Sequence, residues 1–548
     1  MIPIIDLFAG PGGLGEGFSS LLDEHRERIF KIRLSIEKDS YAHQTLKLRS
    51  FFRQFPVGEV PEDYYRFVRG EITIKELYER HPGEAARADE EAWCATLGKP
   101  DEEDKNGVKN REIDKRIRQV LGDTRNWVLI GGPPCQAFSL VGRSRRQETQ
   151  LDEKKDKRVG LYKQYLRILA KHLPAVFVME NVKGILSART KNVHVFNKIL
   201  EDLQNPVEAC IAEKLFREQA PVFTRYRIYS LITRSKGDRI DGSPDFEPED
   251  FLIHSEEYGV PQKRHRVILL GIREDLLPSD RILESKEAIS LRSVIGELPA
   301  LRSGITRLFE HSAMEKDEDG AEKKKRYYAK EKDSAEKWGE YVRRYSQEID
   351  DILEERERWI PGNLPQSIGE EFRASENTFI APGHVLFNWY TDVRLGGVLH
   401  HVSRKHLVQD LKRYLFAARY ARDRGTFPKL EDYKEAAADL LPDHENADTG
   451  KFADRFRVQL PDIPATTVTS HISKDGHYFI HYDPAQCRSF TVREAARVQT
   501  FPDNYYFCGG RTQKFHQVGN AVPPYLAYQI AEIVLDIFRR NGLIEDEE

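Results

Sequence analysis

Cysteine is scarce in this 548-residue chain. Its five cysteines (Cys94, Cys135, Cys210, Cys487 and Cys508) are scattered, and no two share CxxC spacing. That excludes a zinc ribbon and a disulfide framework, and no metal is expected. Reduced thiols fit the pattern, one of them available for chemistry. Long apolar runs are also missing: nothing approaches the roughly 18 residues that a membrane span needs. The opening MIPIIDLFAGPGG has no basic leader, and its apolar stretch runs into glycines, so it does not read as a signal peptide. A cytoplasmic protein without membrane contact is expected. There is no excess of basic charge either, with 85 Lys and Arg against 89 Asp and Glu. Whole-chain charge therefore gives no pointer to nucleic acid, although such a balance can hide a basic cleft. No internal repeat or low-complexity tract is found.

What is present is a chain long enough for more than one domain, with 39% hydrophobic and 32% charged residues. Short apolar strands alternate with helical patterns. Ile2 to Phe8 leads into a glycine turn and a helix, and further strands end near Glu37, at Val128–Ile130, at Ala175–Met179 and at Arg266–Gly271. This alternation predicts an α/β fold with helices on both faces of a mostly parallel sheet. Two regions break the rhythm. Residues of about 50–110 are charged and helix-prone and read as an insertion. Residues of about 300–485 are longer and irregular. Within them EKDEDGAEKKKRYYAKEKDSAEKWGEYVRRY reads as a charged helix with a solvated face. HHVSRKHLVQDLKRYLFAARYARDRG interleaves cations with Tyr and Phe, which suits a DNA-facing surface. After 485 the α/β character returns, ending in the amphipathic YLAYQIAEIVLDIF.

The first turn, Asp6-Leu7-Phe8-Ala9-Gly10-Pro11-Gly12-Gly13-Leu14-Gly15, satisfies G-x-G-x-x-G, with Glu37 about 22 residues further on. A dinucleotide site has the same features, and so does a plain structural turn. Asp6 within the strand and Phe8-Ala9 before the glycines tilt the reading toward adenosylmethionine, without settling it.

Three later elements carry more chemistry. Gly131-Gly132-Pro133-Pro134-Cys135-Gln136 follows a strand directly, where open α/β sheets place reactive groups. Cysteines are often inert and buried, but two glycines and two prolines fix this one on a strand-end loop. Met179-Glu180-Asn181-Val182 puts a carboxylate at the next strand end, a position that a helix N-terminal acid could also fill. Gln262-Lys263-Arg264-His265-Arg266 enters a third strand. Arginines at i and i+2 share a face, so Arg264 and Arg266 could converge on one anion or carbonyl, or simply be surface charge. Together these residue types suit methylation of cytosine at C5. That carbon is a poor nucleophile until a thiolate adds at C6 and an acid protonates N3, with donors on O2. The base must also be flipped out of the duplex.

The motifs DLFAGPGGLGEGF (6–18), GGPPCQAFS (131–139), MENVKGIL (179–186), QKRHRVILLG (262–271), TVREAARVQTFPD (491–503) and QVGNAVPP (517–524) resemble those of the DNA (cytosine-5) methyltransferase family, in the family's order and across nearly the whole chain. The resemblance implies a Rossmann-like adenosylmethionine-dependent catalytic domain. Cys135 would be the nucleophile, Glu180 would contact N3 and the exocyclic amine, and Arg264 with Arg266 would hold the cytosine. Phe8, Gly10, Gly12, Gly13, Leu14, Glu37, Pro134, Leu161, Asn520 and Val522 would bind S-adenosyl-L-methionine, leaving S-adenosyl-L-homocysteine as product. Arg143, Arg145, Arg146 and Gln262 would contact double-stranded DNA.

The family's order also implies a division into 1–300 as the main catalytic part, 301–485 as a smaller irregular target recognition domain, and 486–548 as the returning catalytic segment. An aspartate on the adenine amine is the usual family pattern, and Asp114 and Asp123 are its candidates here. Lys38 stands where an aromatic often stacks. A restriction–modification or phage-defence role is expected. The alternatives are a tRNA cytosine methyltransferase, against which the large 300–485 region counts, and an inactive DNA-binding homologue, against which the retained Cys135, Glu180 and arginines count. A dinucleotide oxidoreductase leaves PPCQ and ENV without a role, and the D/N-P-P-Y pattern of amino-methyltransferases is absent.

Overall fold

The computed structural model describes residues 1–98, 106–134, 157–190, 193–215, 224–240, 242–316, 322–353, 359–441 and 455–544. Eight strands form its central sheet: β1 (Ile2–Leu7), β2 (Phe30–Glu37), β3 (Ala92–Cys94), β4 (Val128–Gly131), β5 (Val176–Val182), β6 (Tyr226–Tyr229), β7 (Leu252–His254) and β8 (His265–Arg273). They lie in the order β6-β8-β5-β4-β1-β2-β3, with β7 beside β8. The strands from β5 across to β3 pair in parallel, whereas β8 runs antiparallel to β5, β6 and β7. The fold is thus the expected α/β type with a mixed, mostly parallel sheet. Strand β3 falls inside the stretch read from sequence as an insertion, and three residues are too few to show a period.

Alternation along the strands builds two cores. Ile4, Ile32, Val128, Ile130, Val176, Val178 and Ile268 face α1 (Gly13–Ser19) and the C-terminal helix Pro524–Arg540. Ile5, Leu34, Ile36, Leu129, Phe177 and Met179 face the other way, against helices Asn110–Leu121, Lys157–His172 and Val195–Gln204. Helices on both faces follow from this two-sided burial. The returning C-terminal segment locks onto the first turn. A Cβ on Gly17 would sit 2.4 Å from both Ala527 Cβ and the Pro524 carbonyl oxygen, so the two helices touch backbone to side chain. After β2, α2 (Ser40–Arg53) is capped by Asp39. Its Arg49 pairs with the buried Glu16 of α1 and donates to Asn504 at 3.1 Å.

Residues 301–485 contain a hairpin of β9 (Arg307–Lys316) and β10 (Glu322–Lys330), a strand pair of β11 (Gly369–Ala374) and β12 (Gly397–Val402), and long helices Ala335–Leu353 and Val408–Arg424. Two sequence expectations change here. The charged stretch read as one helix is a β-hairpin as far as Lys330, and only Ala335–Leu353 is helical. The basic stretch read as DNA-facing is largely interior: Val408–Arg424 is buried on both faces as far as Ala421, and Lys412, Arg413 and Arg419 are paired inside, while Arg422 and Arg424 at its end are exposed. Arg419 meets Asp350 at 2.6 Å, and Arg413 meets Asp410 and donates to the Leu440 and Leu441 carbonyls. Guanidiniums with several fixed donors can be buried when carboxylates and carbonyls surround them, and composition alone does not reveal that. Among the described residues, no helix is long and apolar enough to cross a membrane.

Candidate active site

The carboxyl ends of β1, β2, β4 and β5 lie along one edge of the sheet, where a parallel fold leaves its crevice. Strand β8 reaches the same edge by its beginning, because it runs antiparallel and pairs Arg266 with Val182 at the end of β5. Five separate stretches of sequence therefore meet there. With Ala95, Thr96, Leu97, Leu161 and the 516–522 segment, they line a cleft of about 430 Å³ whose walls include Asp6, Phe8, Gly10, Glu37, Leu161, Glu180, Arg266 and Asn520.

At one end stands the glycine turn. Phe8 adopts a left-handed φ of 58° and Gly12 one of 94°, a conformation that favours glycine at the second position. Glu37 is anchored by two backbone donors, Gly10 N–H at 2.9 Å and Asp39 N–H at 2.8 Å. Burial holds its carboxyl above the usual range. A Cβ on Gly13 would lie 2.2 Å from the Val522 carbonyl oxygen, so the turn and the C-terminal segment close on one another. Gly13, Leu14, Asn520 and Val522 all line the cleft. Gly12 is a correction: it does not line the cleft, and its Cβ direction points at Leu46 and the Tyr505 hydroxyl, 2.8 and 3.1 Å away.

At the other end, Arg266 Nε lies 2.8 Å from Glu180 Oε1, with both side chains mostly buried. Burial lowers the Arg266 pKa, and Glu180 opposes that shift. Gly132 passes close over Glu180, since a Cβ there would sit 2.9 Å from Oε2. Asn181 donates to the Pro133 carbonyl at 3.3 Å, which ties the Pro133-Pro134 loop to the end of β5. Leu161 and Pro134 complete the wall.

Two expected roles are corrected. Arg264 also lines the cleft, but its guanidinium is fully buried and donates to the Val468 and Gly519 carbonyls at 2.9 and 3.3 Å. It binds the sheet edge to the C-terminal segment and does not converge with Arg266 on one group, because it falls in the break before β8. Gln262 is completely buried: it accepts from Val468 N–H at 2.7 Å and donates to Val498 and Gln499. It is a positioning residue with no surface to offer DNA. Neither candidate for an adenine contact reaches the cleft. Asp114 is held by Arg167, Lys171 and His172 at 2.7–3.0 Å, and Asp123 is exposed after a helix. The wall on that side is made by Lys38, Asp39, Ala95, Thr96 and Leu97.

Cys135, Arg143, Arg145 and Arg146 lie outside the described residues. The other four cysteines are poor nucleophiles. Burial pushes the thiols of Cys210 and Cys508 up to about 12 and about 11, that of Cys487 higher still, and Cys94 upward as well. Thiolate chemistry needs the opposite shift. His254, Glu256 and His265 also gather beside β8, but the two imidazoles are stacked 4.0 Å apart at 14°, so their nitrogens lie in parallel planes.

Sequence reading passed over Asp6 as a site residue. It is 1% exposed, lines the cleft, and has no hydrogen-bond partner on either carboxylate oxygen. Burial raises its pKa well above the usual range, opposed by Arg53 and reinforced by Glu37 and Glu91. An acid inside an otherwise apolar strand was the available signal. Asn181 was missed too, although it sits within the ENV motif.

Comparison with known proteins bears on this geometry. The family described as C-5 cytosine-specific DNA methylase matches residues 92–206 and 245–535. The Type II methyltransferase M.Bpa9945I of Bacillus paralicheniformis is 30% identical over 98% of this chain and 99% of its own length. The Type II methyltransferase M.DdeI of Desulfomicrobium norvegicum is 26% identical, covering 99% of this chain and 91% of its own. The DNA (cytosine-5-)-methyltransferase M.ApeKI of Aeropyrum pernix is 26% identical over 75% of this chain and 81% of its own.

Proposed function

Because the chain belongs to the C-5 cytosine-specific DNA methylase family, we propose that it moves a methyl group from S-adenosyl-L-methionine to C5 of a cytosine flipped out of duplex DNA at a specific site. The observation that carries this reading is the single cleft with Phe8 and Glu37 at one end and the Glu180–Arg266 pair at the other. One pocket can thus hold a donor and a base side by side.

The residues present fit the donor. The unpartnered Asp6 carboxylate suits the ammonium of the methionine portion, and Glu37 suits the ribose hydroxyls, as a carboxylate at the end of the second strand does in related folds. Phe8, Gly10, Gly13, Leu14, Leu161, Pro134, Asn520 and Val522 would enclose it. Adenosylmethionine bound there supplies an electrophilic methyl on a sulfonium.

The chain's own groups prepare the base. The Cys135 thiolate adds to C6, forming a covalent adduct, while Glu180 hydrogen-bonds N3 and stabilises the electron-rich enamine. Arg266 orients Glu180 and offers donors to O2. Once C5 carries the methyl group, it loses its proton to a base, and the C6–S bond breaks to restore the ring and free Cys135. Arg143, Arg145 and Arg146, in the stretch after Cys135, would contact phosphates. Residues 301–485 would select the site, between catalytic parts 1–300 and 486–548. The relatives' designation as Type II methyltransferases supports a restriction–modification role, in which the enzyme would work in the cytoplasm beside a nuclease from which it protects DNA.

Duplex DNA carrying 5-fluorocytosine tests the adduct, because the C5–F bond cannot release a proton. With adenosylmethionine present, the wild type should give a protein–DNA band that survives denaturant, and Cys135→Ser should not. A band of equal strength with Cys135→Ser would overturn the assignment.

A further inference from the structure

Of the two cation-rich stretches in 301–485, the fold buries one and presents the other. The helix Val408–Arg424 pairs Arg413 and Arg419 internally and exposes only Arg422 and Arg424 at its end, whereas no described residue of the β9–β10 hairpin with an assigned exposure is buried. The hairpin is a two-stranded ribbon with no third strand among the described residues. It is fastened at its base, where Gln409 donates to the Phe309 carbonyl at 2.9 Å and Gly304–Ile305 pairs with Lys405–His406.

The register divides the ribbon's charge by face. Arg307 opposes Lys330, Phe309 opposes Tyr328, Ser312 opposes Arg326, Met314 opposes Lys324 and Lys316 opposes Glu322. Directly opposed residues share a face and successive residues alternate, so one face carries Arg307, Lys316, Lys324, Arg326 and Lys330 against the single acid Glu322. The other face presents Lys325 beside the carboxylate of Glu315, at 2.8 Å. Rings stiffen both faces: Arg307 lies over Tyr328 at 4.7 Å, and His311 stacks on Tyr327 at 4.8 Å.

We infer that this cationic face is a phosphate-backbone contact, which holds duplex DNA against the enzyme without reading its sequence. The inference rests on the proposed function for its partner. An i, i+2 spacing in a strand is about 6.7 Å, comparable with the separation of successive phosphates of one DNA strand, which also advance about 3.4 Å along the helix axis. Lys324, Arg326 and Lys330 can therefore follow a run of phosphates.

Neighbouring lysines on opposite faces give a matched test. Binding of the full-length Lys324→Gln and Lys325→Gln variants to unrelated duplexes would be measured across a salt series. Lys324→Gln should reduce the slope of log Kobs against log salt by about 1, and Lys325→Gln should leave it unchanged. The triple variant Lys324→Gln/Arg326→Gln/Lys330→Gln should weaken all duplexes alike, on the order of 500-fold at about 0.1 M salt, from about 0.9 decade for each of three neutralised phosphates. Binding of S-adenosylhomocysteine and the choice of methylated site should not change. Equal slopes for wild type, Lys324→Gln and the triple variant would overturn the inference, as would an altered site choice, which would make the ribbon a base reader. If the wild type itself made no 5-methylcytosine in DNA, the parent reading would fail and take this one with it.

Discussion

Replacing Asp6 with asparagine should stabilise the ligand-free protein while weakening its hold on the donor. In the free protein this carboxylate is buried with neither oxygen hydrogen-bonded. Asparagine keeps a polar group there but removes the charge, whose unpaired burial costs at least about 1–3 kcal/mol. Unfolding entropy of about 2.1 cal/mol/K per residue comes to on the order of 1 kcal/mol/K for this chain, so Tm should rise by roughly 1–3 °C at pH 8. The pH dependence fixes the mechanism. The folded-state pKa of Asp6 is raised, so the folded state holds its proton where the unfolded state, near the ordinary value of about 3.9, has lost it. Stability from this group is therefore full below about pH 4 and is lost as pH climbs toward the folded pKa. The advantage of Asp6→Asn should accordingly grow from pH 4 to pH 8 and vanish at the acid end. In the complex the sign reverses, because the carboxylate would then have the donor's ammonium as partner. Removing one member of a buried charge pair costs about 2 kcal/mol or more, so S-adenosylhomocysteine should bind at least ~30-fold more weakly by calorimetry. A variant that lost stability at every pH, or kept full affinity, would refute the reasoning.

Other substitutions separate the two ends of the cleft. Gly13→Ala forces a methyl against the Val522 carbonyl and should cost about 1–3 kcal/mol, read by urea unfolding, with at least a tenfold loss of S-adenosylhomocysteine affinity. Glu180→Gln should lower kcat by ~100-fold or more in a methyl-transfer assay and leave that affinity intact. Arg264→Ala would leave the Val468 and Gly519 carbonyls without their donor. It should lower thermal stability by about 1–3 kcal/mol, whereas Arg266→Ala should chiefly reduce turnover.

Much of the fold was legible because its signals are local. Apolar strands ending in a glycine turn, in GGPPC and in ENV mark the carboxyl edge of a parallel sheet, and the structure joins those ends in one cleft. Strand β3 was not legible, since three residues directly after a helix carry no period. Gln262 and Arg264 show a second limit. A motif identifies the residue type, but whether a guanidinium faces a ligand or a buried carbonyl depends on segments some 200 or more residues away, here Val468 and Gly519. The basic stretch around Val408–Arg424 failed for the same reason: its charge density was plain in the sequence, and its burial was decided by distant carboxylates such as Asp350.

The most direct test is to incubate the protein with methyl-labelled adenosylmethionine and mixed bacterial DNA, then digest the DNA to nucleosides. Label in 5-methylcytosine is expected with the wild type and none with Cys135→Ser. Label in another base, label only in a parallel tRNA reaction, or equal label with Cys135→Ser would contradict the proposed function.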